Sequence, residues 1–168
     1  MAKWGSCDFR QLKGLQDKIN QLKEDDAEAF CRACAKELAA RLLAKVIKRT
    51  PVGDYPSSTG KNGGTLRRGW TAKSEREAEL TAVFGGGQGG GAYANSLEIK
   101  KVGNTYEVEI VNPCSYASYV EYGHRTRGGK GWVNGRYMMT ISEQELDVQS
   151  PAILERKLLK YLGDVFNA

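Results

Sequence analysis

Residues 112–126 read Asn112-Pro113-Cys114-Ser115-Tyr116-Ala117-Ser118-Tyr119-Val120-Glu121-Tyr122-Gly123-His124-Arg125-Thr126. A strand-like run ends at Asn112-Pro113, because proline has no N–H for a sheet ladder. Tyr116, Tyr119 and Tyr122 then recur at offsets of three, which lines their rings along one side of a short helix. Gly123 stops that helix, and a basic, glycine-rich loop begins. His124, the chain's only histidine, stands at the junction. The stretch is a joint from sheet to helix to loop. Val120 and part of the tyrosine row are expected in the core, and His124 and Arg125 where the chain leaves the fold for a partner.

Upstream, Leu97–Val102 and Thr105–Val111 flank Gly103-Asn104, a two-residue hairpin signal. Tyr106, Val108 and Ile110 face one way and Glu107 and Glu109 the other, so one face is core. Two further strands are expected where Leu66, Trp70 and Ala72 alternate with polar or small residues, and where Leu80, Ala82 and Phe84 do the same. Gly85 to Gly91 holds six glycines in seven residues and reads as a loop tip, since ordering so much glycine costs too much entropy. Pro51 to Thr65 is a loop by composition.

Helices flank this sheet. Phe30, Cys34, Leu38, Leu42 and Val46 recur every four residues, widened by Cys31, Ala35, Leu43 and Ile47. They predict a helix over 27–49, ended by Pro51. Phe9, Leu12, Leu15, Ile19 and Leu22 predict a shorter amphipathic helix over 8–23, capped by Asp8. Beyond the basic loop, Ser142-Glu143-Gln144-Glu145 is a capping-box pattern for a short helix. Ser150-Pro151 starts a last helix with proline at its first position. The expected fold is a single α+β domain. An antiparallel sheet of about four strands carries the long helix and the C-terminal helix on one face. Residues 1–24 form a helical extension and 25–168 the core.

The chain has 168 residues and a net charge of +5, enough length for a core and a weak basic bias. No run of about eighteen apolar residues marks a membrane span, and the polar start is unlike a secretory signal. Basic charge collects in the loops. Six Lys or Arg against one Asp lie between Lys48 and Lys73, and four against no acid between Tyr122 and Met138. Cys31 and Cys34 form a C-x-x-C inside a helical pattern, without the preceding strand of a redox motif or the second ligand pair of a zinc site. His124 has no nucleophile context. The glycine run lacks the Gly-Lys-Ser/Thr ending of a phosphate loop, and the acids are scattered. No enzyme, metal or cofactor is expected. Arg67, Arg68 and Trp70, and then Arg125, Arg127, Lys130, Trp132 and Arg136, interleave charge with aromatics. That pattern suits a protein interface or a nucleic-acid surface equally.

Thr50-Pro51-Val52 followed by Gly64-Thr65-Leu66-Arg67-Arg68-Gly69-Trp70 resembles a signature of the neck and tail-completion proteins of long-tailed bacteriophages and prophages. Tyr116-Ala117-Ser118-Tyr119-Val120-Glu121-Tyr122-Gly123 after Asn112 resembles that family's second signature, "Asn … Tyr-Ala-x-x-Val-Glu-x-Gly". The chain departs from the pattern in a longer loop between Val52 and Gly64 and in an insertion over 74–95. The resemblance implies a virion protein, assembled in the host cytoplasm, that forms a homo-oligomeric ring, a hexamer, at the head-proximal end of the tail. Such a tail-terminator-like ring caps the tail tube, meets the sheath and the head–tail connector, and lets DNA pass its lumen without reading sequence; no membrane is involved. Arg67, Arg68, Tyr122, His124, Arg125, Arg127, Lys130, Trp132 and Arg136 are the expected interface residues. The alternative is a basic nucleic-acid-binding module.

Overall fold

In the computed structural model, residues 24–59, 63–87 and 89–167 are described. The helix expected over 8–23 lies outside the described residues. The chain forms α1 (Glu24–Arg49), a 3-10 turn (Ser57–Thr59), α2 (Thr65–Gly69), α3 (Glu75–Phe84), α4 (Gly90–Ser96), β1 (Ile99–Val102), β2 (Thr105–Val108), α5 (Ala117–Tyr122), β3 (Gly123–Arg125), β4 (Trp132–Asn134) and α6 (Met138–Asn167).

Helix α1 is apolar on two faces. Ala39, Leu43 and Val46 are buried in the core with Trp70, Ala78, Ala94 and Met138. Phe30, Cys34, Leu38 and Leu42, the regular i+4 row, instead line a groove between α1, β2 and α6. At about 100° per residue the two faces lie roughly a third of a turn apart. The widened stripe therefore serves two surfaces, the core and the groove.

The hairpin forms as its turn signal demands. Ile99 pairs with Val108 and Val102 with Thr105, antiparallel, and Gly103 takes φ +61 at the turn. Glycine adopts this left-handed φ without a Cβ penalty. The expected four-stranded sheet does not form: there are two separate two-stranded sheets, β1–β2 and β3–β4. The strands expected over 66–72 and 79–84 do not form; helices occupy Thr65–Gly69 and Glu75–Phe84. Leu66 and Trp70 are both buried because a spacing of four places them on one helical face, a pattern that mimics alternation over so short a run. For α3 the signal was present. Ser74 accepts a hydrogen bond from the Glu77 N–H, the S-x-x-E start of a helix. The insertion is thus built structure. Ala78 of α3 and Ala94 of α4 are fully buried, and a Cβ at Gly90 would touch Ile47 and Leu43. The glycine run is split, with Gly85 ending α3 and Gly90 opening α4.

The two C-terminal helices expected from the capping pattern and Ser150-Pro151 are one, α6, with Pro151 inside it. Proline leaves the carbonyl four residues back without its N–H. Here Ser150 Oγ donates to that carbonyl, Asp147 O, at 3.0 Å, which offsets the loss. Helix α6 runs antiparallel along α1 rather than over a sheet. Lys157 pairs with Glu37 at 2.8 Å, and Lys45 and Arg49 with Glu145. Tyr161 stacks on Phe30 with ring centroids 4.6 Å apart.

Candidate functional site

Two hydrogen-bonded clusters hold the signature segments together. Thr50 is fully buried. Its hydroxyl donates to Val46 O at 2.6 Å and accepts from Trp70 Nε1 at 2.7 Å. Its carbonyl accepts twice from Arg67, through Nε at 3.1 Å and a terminal guanidinium nitrogen at 2.6 Å. The threonine, arginine and tryptophan of the first motif thus fix the end of α1 to α2. Asn112 Nδ2 donates to Leu66 O at 2.8 Å, and Asn112 Oδ1 accepts from the Cys114 N–H at 3.1 Å. Gly69 is required beneath it, since a Cβ there would lie 2.2 Å from Asn112 Oδ1. The Ser115 N–H donates to Glu75 at the start of α3. Burial, with Glu75 nearby, pushes the Cys114 thiol up to about 11, so it stays protonated near neutrality.

The second cluster centres on Glu121, which is 6% exposed. Its carboxylate accepts from the Met139 N–H and the Thr140 N–H, each at 3.0 Å, and from Thr140 Oγ1 at 2.8 Å. It satisfies orphan donors in the first turn of α6 and puts negative charge at the positive end of the helix dipole. Its carbonyl accepts from the Tyr137 N–H, and Val120 O from the Arg136 N–H. Gly123, at φ +86, passes so close to β4 that a Cβ would sit 2.4 Å from Val133 O; at Gly135 it would sit 2.2 Å from Glu121 O. The glutamate and glycine of the second motif therefore anchor α5 to α6 and to the β3–β4 hairpin. The sequence reading passed over Glu121. A lone acid two residues before a helix-stopping glycine gives no local sign that it caps a helix seventeen residues downstream.

Held by those anchors, the other side of this unit is open. Tyr119, Tyr122 and Trp132 are 58%, 63% and 59% exposed. This corrects the expectation that part of the tyrosine row is core. Tyr116 is exposed too, and from α5 only Val120 and Ala117 pack against the core. The register pairs Arg125 with Trp132 and His124 with Val133. Opposed residues share a face of an antiparallel pair, so Arg125 and Trp132 look one way and His124 and Val133 the other. The His124 ring lies 5.8 Å from Tyr119. Arg127 and Lys130 are exposed in the turn between the strands, which the Thr126 N–H closes onto Gly131 O at 3.0 Å. The Arg136 side chain borders a cleft of about 330 Å³ with Tyr55 and Tyr116.

Seven of the nine expected interface residues thus fall in one supersecondary unit. The other two are engaged within the fold: Arg67 in the clamp on Thr50, and Arg68 with one guanidinium nitrogen 3.4 Å from Gly86 O. Among the described residues no group of three or more His, Cys, Asp or Glu could hold a metal ion, and no helix is long and apolar enough to cross a membrane. Cys31 and Cys34 are free thiols on the groove face of α1.

A family model described as "Bacteriophage HK97-gp10, putative tail-component" matches residues 13–123. The chain belongs to the HK97-gp10-like family. The match takes in both signature segments and ends at Gly123, where β3 begins. As a member of this tail-component family it is a structural protein of the virion and interacts with other tail proteins. Comparison with curated proteins and with solved structures gives no match.

Proposed function

We propose that this tail component is a non-catalytic ring subunit at the head-proximal end of the tail. It self-associates, caps the tail tube and joins it to the head connector, docking through the β3–β4 hairpin and the outer face of α5. One observation supports this reading: α5 and the β3–β4 hairpin, anchored through Glu121, Gly123 and Gly135, leave Tyr119, Tyr122 and Trp132 in solvent in a unit that also carries Arg125, Arg127, Lys130 and Arg136. Interfaces concentrate binding energy in such Tyr, Trp and Arg side chains when a rigid scaffold presents them. A ring closes when two different surfaces of one subunit meet by rotation. Basic residues facing its lumen would contact passing phosphates without reading bases.

The test is tail completion with a protein carrying Arg125→Glu and Arg127→Glu. Both side chains are exposed, so melting should stay within about 0.5 kcal/mol of the parent while addition to tails falls at least tenfold. Wild-type completion by this variant would end the docking assignment. Light scattering with the tail-tube protein should give ring-sized species. A persistent monomer that instead binds duplex DNA with a steep salt dependence would favour the nucleic-acid module.

A further inference from the structure

The groove between α1, β2 and α6 has a volume of about 550 Å³, and Phe30, Leu38, Leu42, Val108, Ile110 and Leu158 are among its apolar lining. Glu155 is its one charged lining residue. A second cleft shares Leu38, Leu42 and Leu146 with it and extends it to Glu143 and Asp147. Helix α6 thus sets three carboxylates, Glu143, Asp147 and Glu155, along an apolar channel. No basic residue lines either part, and none of the three carboxylates has an ion pair among the described residues. Apolar surface of this extent with a polar rim marks an interaction site.

We infer that the β3–β4 hairpin of a second copy docks in this groove, Trp132 entering the apolar channel and Arg125 meeting the acidic rim. This rests on the reading that the subunit self-associates through its hairpin, and it assigns the surface that receives the hairpin. Charge decides the occupant. On α3, Leu80, Val83 and Phe84 are exposed, but that helix carries three glutamates against one arginine, and like charge across an interface is disfavoured. On the hairpin, Trp132 is exposed and its pairing with Arg125 puts both on one face. Residues 123–137 hold four basic side chains and no acid, the complement of the rim. An aromatic anchor in an apolar pocket, with opposite charges around it, is how interfaces concentrate affinity and fix register. The two surfaces also stand apart on the subunit. Met138, next to the hairpin, and Leu154 in the groove are both on α6, about 24 Å apart along its axis. Two distinct, separated surfaces suit head-to-tail contact, which closes a ring by rotation.

The test uses one variant on each surface of the full chain, under the conditions in which the parent assembles. Leu158 and Trp132 are both exposed, so Leu158→Glu and Trp132→Glu should each melt like the parent. Each alone should need at least tenfold more protein to give ring-sized species in light scattering. Mixed in equal amounts they should form a species of twice the monomer mass, because the first keeps its hairpin and the second its groove. Asp147→Lys with Glu155→Lys should weaken assembly at least tenfold, and adding Arg125→Glu and Arg127→Glu to that chain should restore it. Assembly of Leu158→Glu at the parent's concentration, a mixture that stays monomeric, or a charge swap that restores nothing would overturn the groove assignment alone, as long as the parent forms rings. A parent that never self-associates, with or without the tail-tube protein, would overturn both this assignment and the ring reading.

Discussion

Glu121→Ala puts the reading of the second motif to its severest test. The substitution removes the acceptor for two backbone N–H groups in the first turn of α6 and for the Thr140 hydroxyl. A buried donor left unpaired costs about 1–3 kcal/mol. Met139 and Thr140 are only half-buried, so the lower end applies to each. Loss of the favourable charge at the helix N-terminus adds about 0.5 kcal/mol. The total is about 3 kcal/mol, above the usual cost of about 1 kcal/mol for losing an N-cap, because one carboxylate serves three donors. For a chain of this size that lowers the melting temperature by about 6–12 °C. Glu121→Gln keeps the volume and one carbonyl oxygen but turns an NH2 group toward a donor, and about half the loss is expected. Thermal and urea denaturation give the totals, and amide exchange locates them. The Met139 and Thr140 amides should lose protection first, ahead of those in α1. A Glu121→Ala protein within about 0.5 kcal/mol of the parent, the range of ordinary surface changes, would refute the cap. So would a destabilised protein whose two amides stay protected.

Other expectations follow from the same contacts. Trp70→Phe and Thr50→Val each break the 2.7 Å bond between the buried partners and should cost about 1–2 kcal/mol. A double-mutant cycle by urea denaturation should show them coupled rather than additive. Gly123→Ala forces a Cβ to within 2.4 Å of Val133 O at φ +86, whereas Gly85→Ala meets nothing within 4 Å at φ +76. Both carry the left-handed strain, so the excess loss of melting temperature at Gly123 isolates the clash with β4. Lys101 and then Arg32 hold Glu28 below its ordinary value, Lys157 and then Arg41 do so for Glu37, and Lys45 and then Arg49 for Glu145. Their folded-state values are depressed, so their contribution is complete above the unfolded value of about 4.5 and is lost as pH falls below it. Melting temperature should be flat from pH 7 to about 5 and fall beneath that. Glu37→Gln with Glu145→Gln should flatten the acid limb.

The β1–β2 hairpin was legible because Gly103-Asn104 and the flanking alternation are local and agree. Helix α1 was legible from its period and from Pro51. Residues 66–72 were misread because Leu66 and Trp70, four apart on one helical face, also fit an alternating strand, and 79–84 because the apolar residues taken for a strand face lie largely exposed, Leu80 at 50% and Phe84 at 81%, while α3 buries only Ala78. The Ser74–Glu77 cap, which decides α3, is equally local and was there to be used. Ser150-Pro151 looked like a helix start because sequence shows the missing N–H but not the Ser150 hydroxyl that takes up the Asp147 carbonyl. Of the expected interface, the hairpin residues were placed together by chain proximity alone. That Arg67 clamps the Thr50 carbonyl was not legible, because an arginine bonded within the fold and one offered to a partner are the same letter.

By itself, then, the sequence determined the family, through two spaced motifs. It also determined the hairpin and the long helix, both of which rest on neighbours within a few residues, but not the setting of the basic charge: Arg67 and Arg68, expected in a loop, lie in α2. Only the tertiary structure decided what the motif residues do. Thr50, Arg67 and Trp70 converge over twenty positions, Glu121 reaches nineteen to Thr140, and Gly69 makes room for Asn112 forty-three residues away. Such contacts are set by how helices pack, and local spacing carries no record of them. The same holds for the tyrosines of 112–126: a row at offsets of three fixes that they share a side, while the core, by burying Glu121 against α6, decides that the shared side faces out.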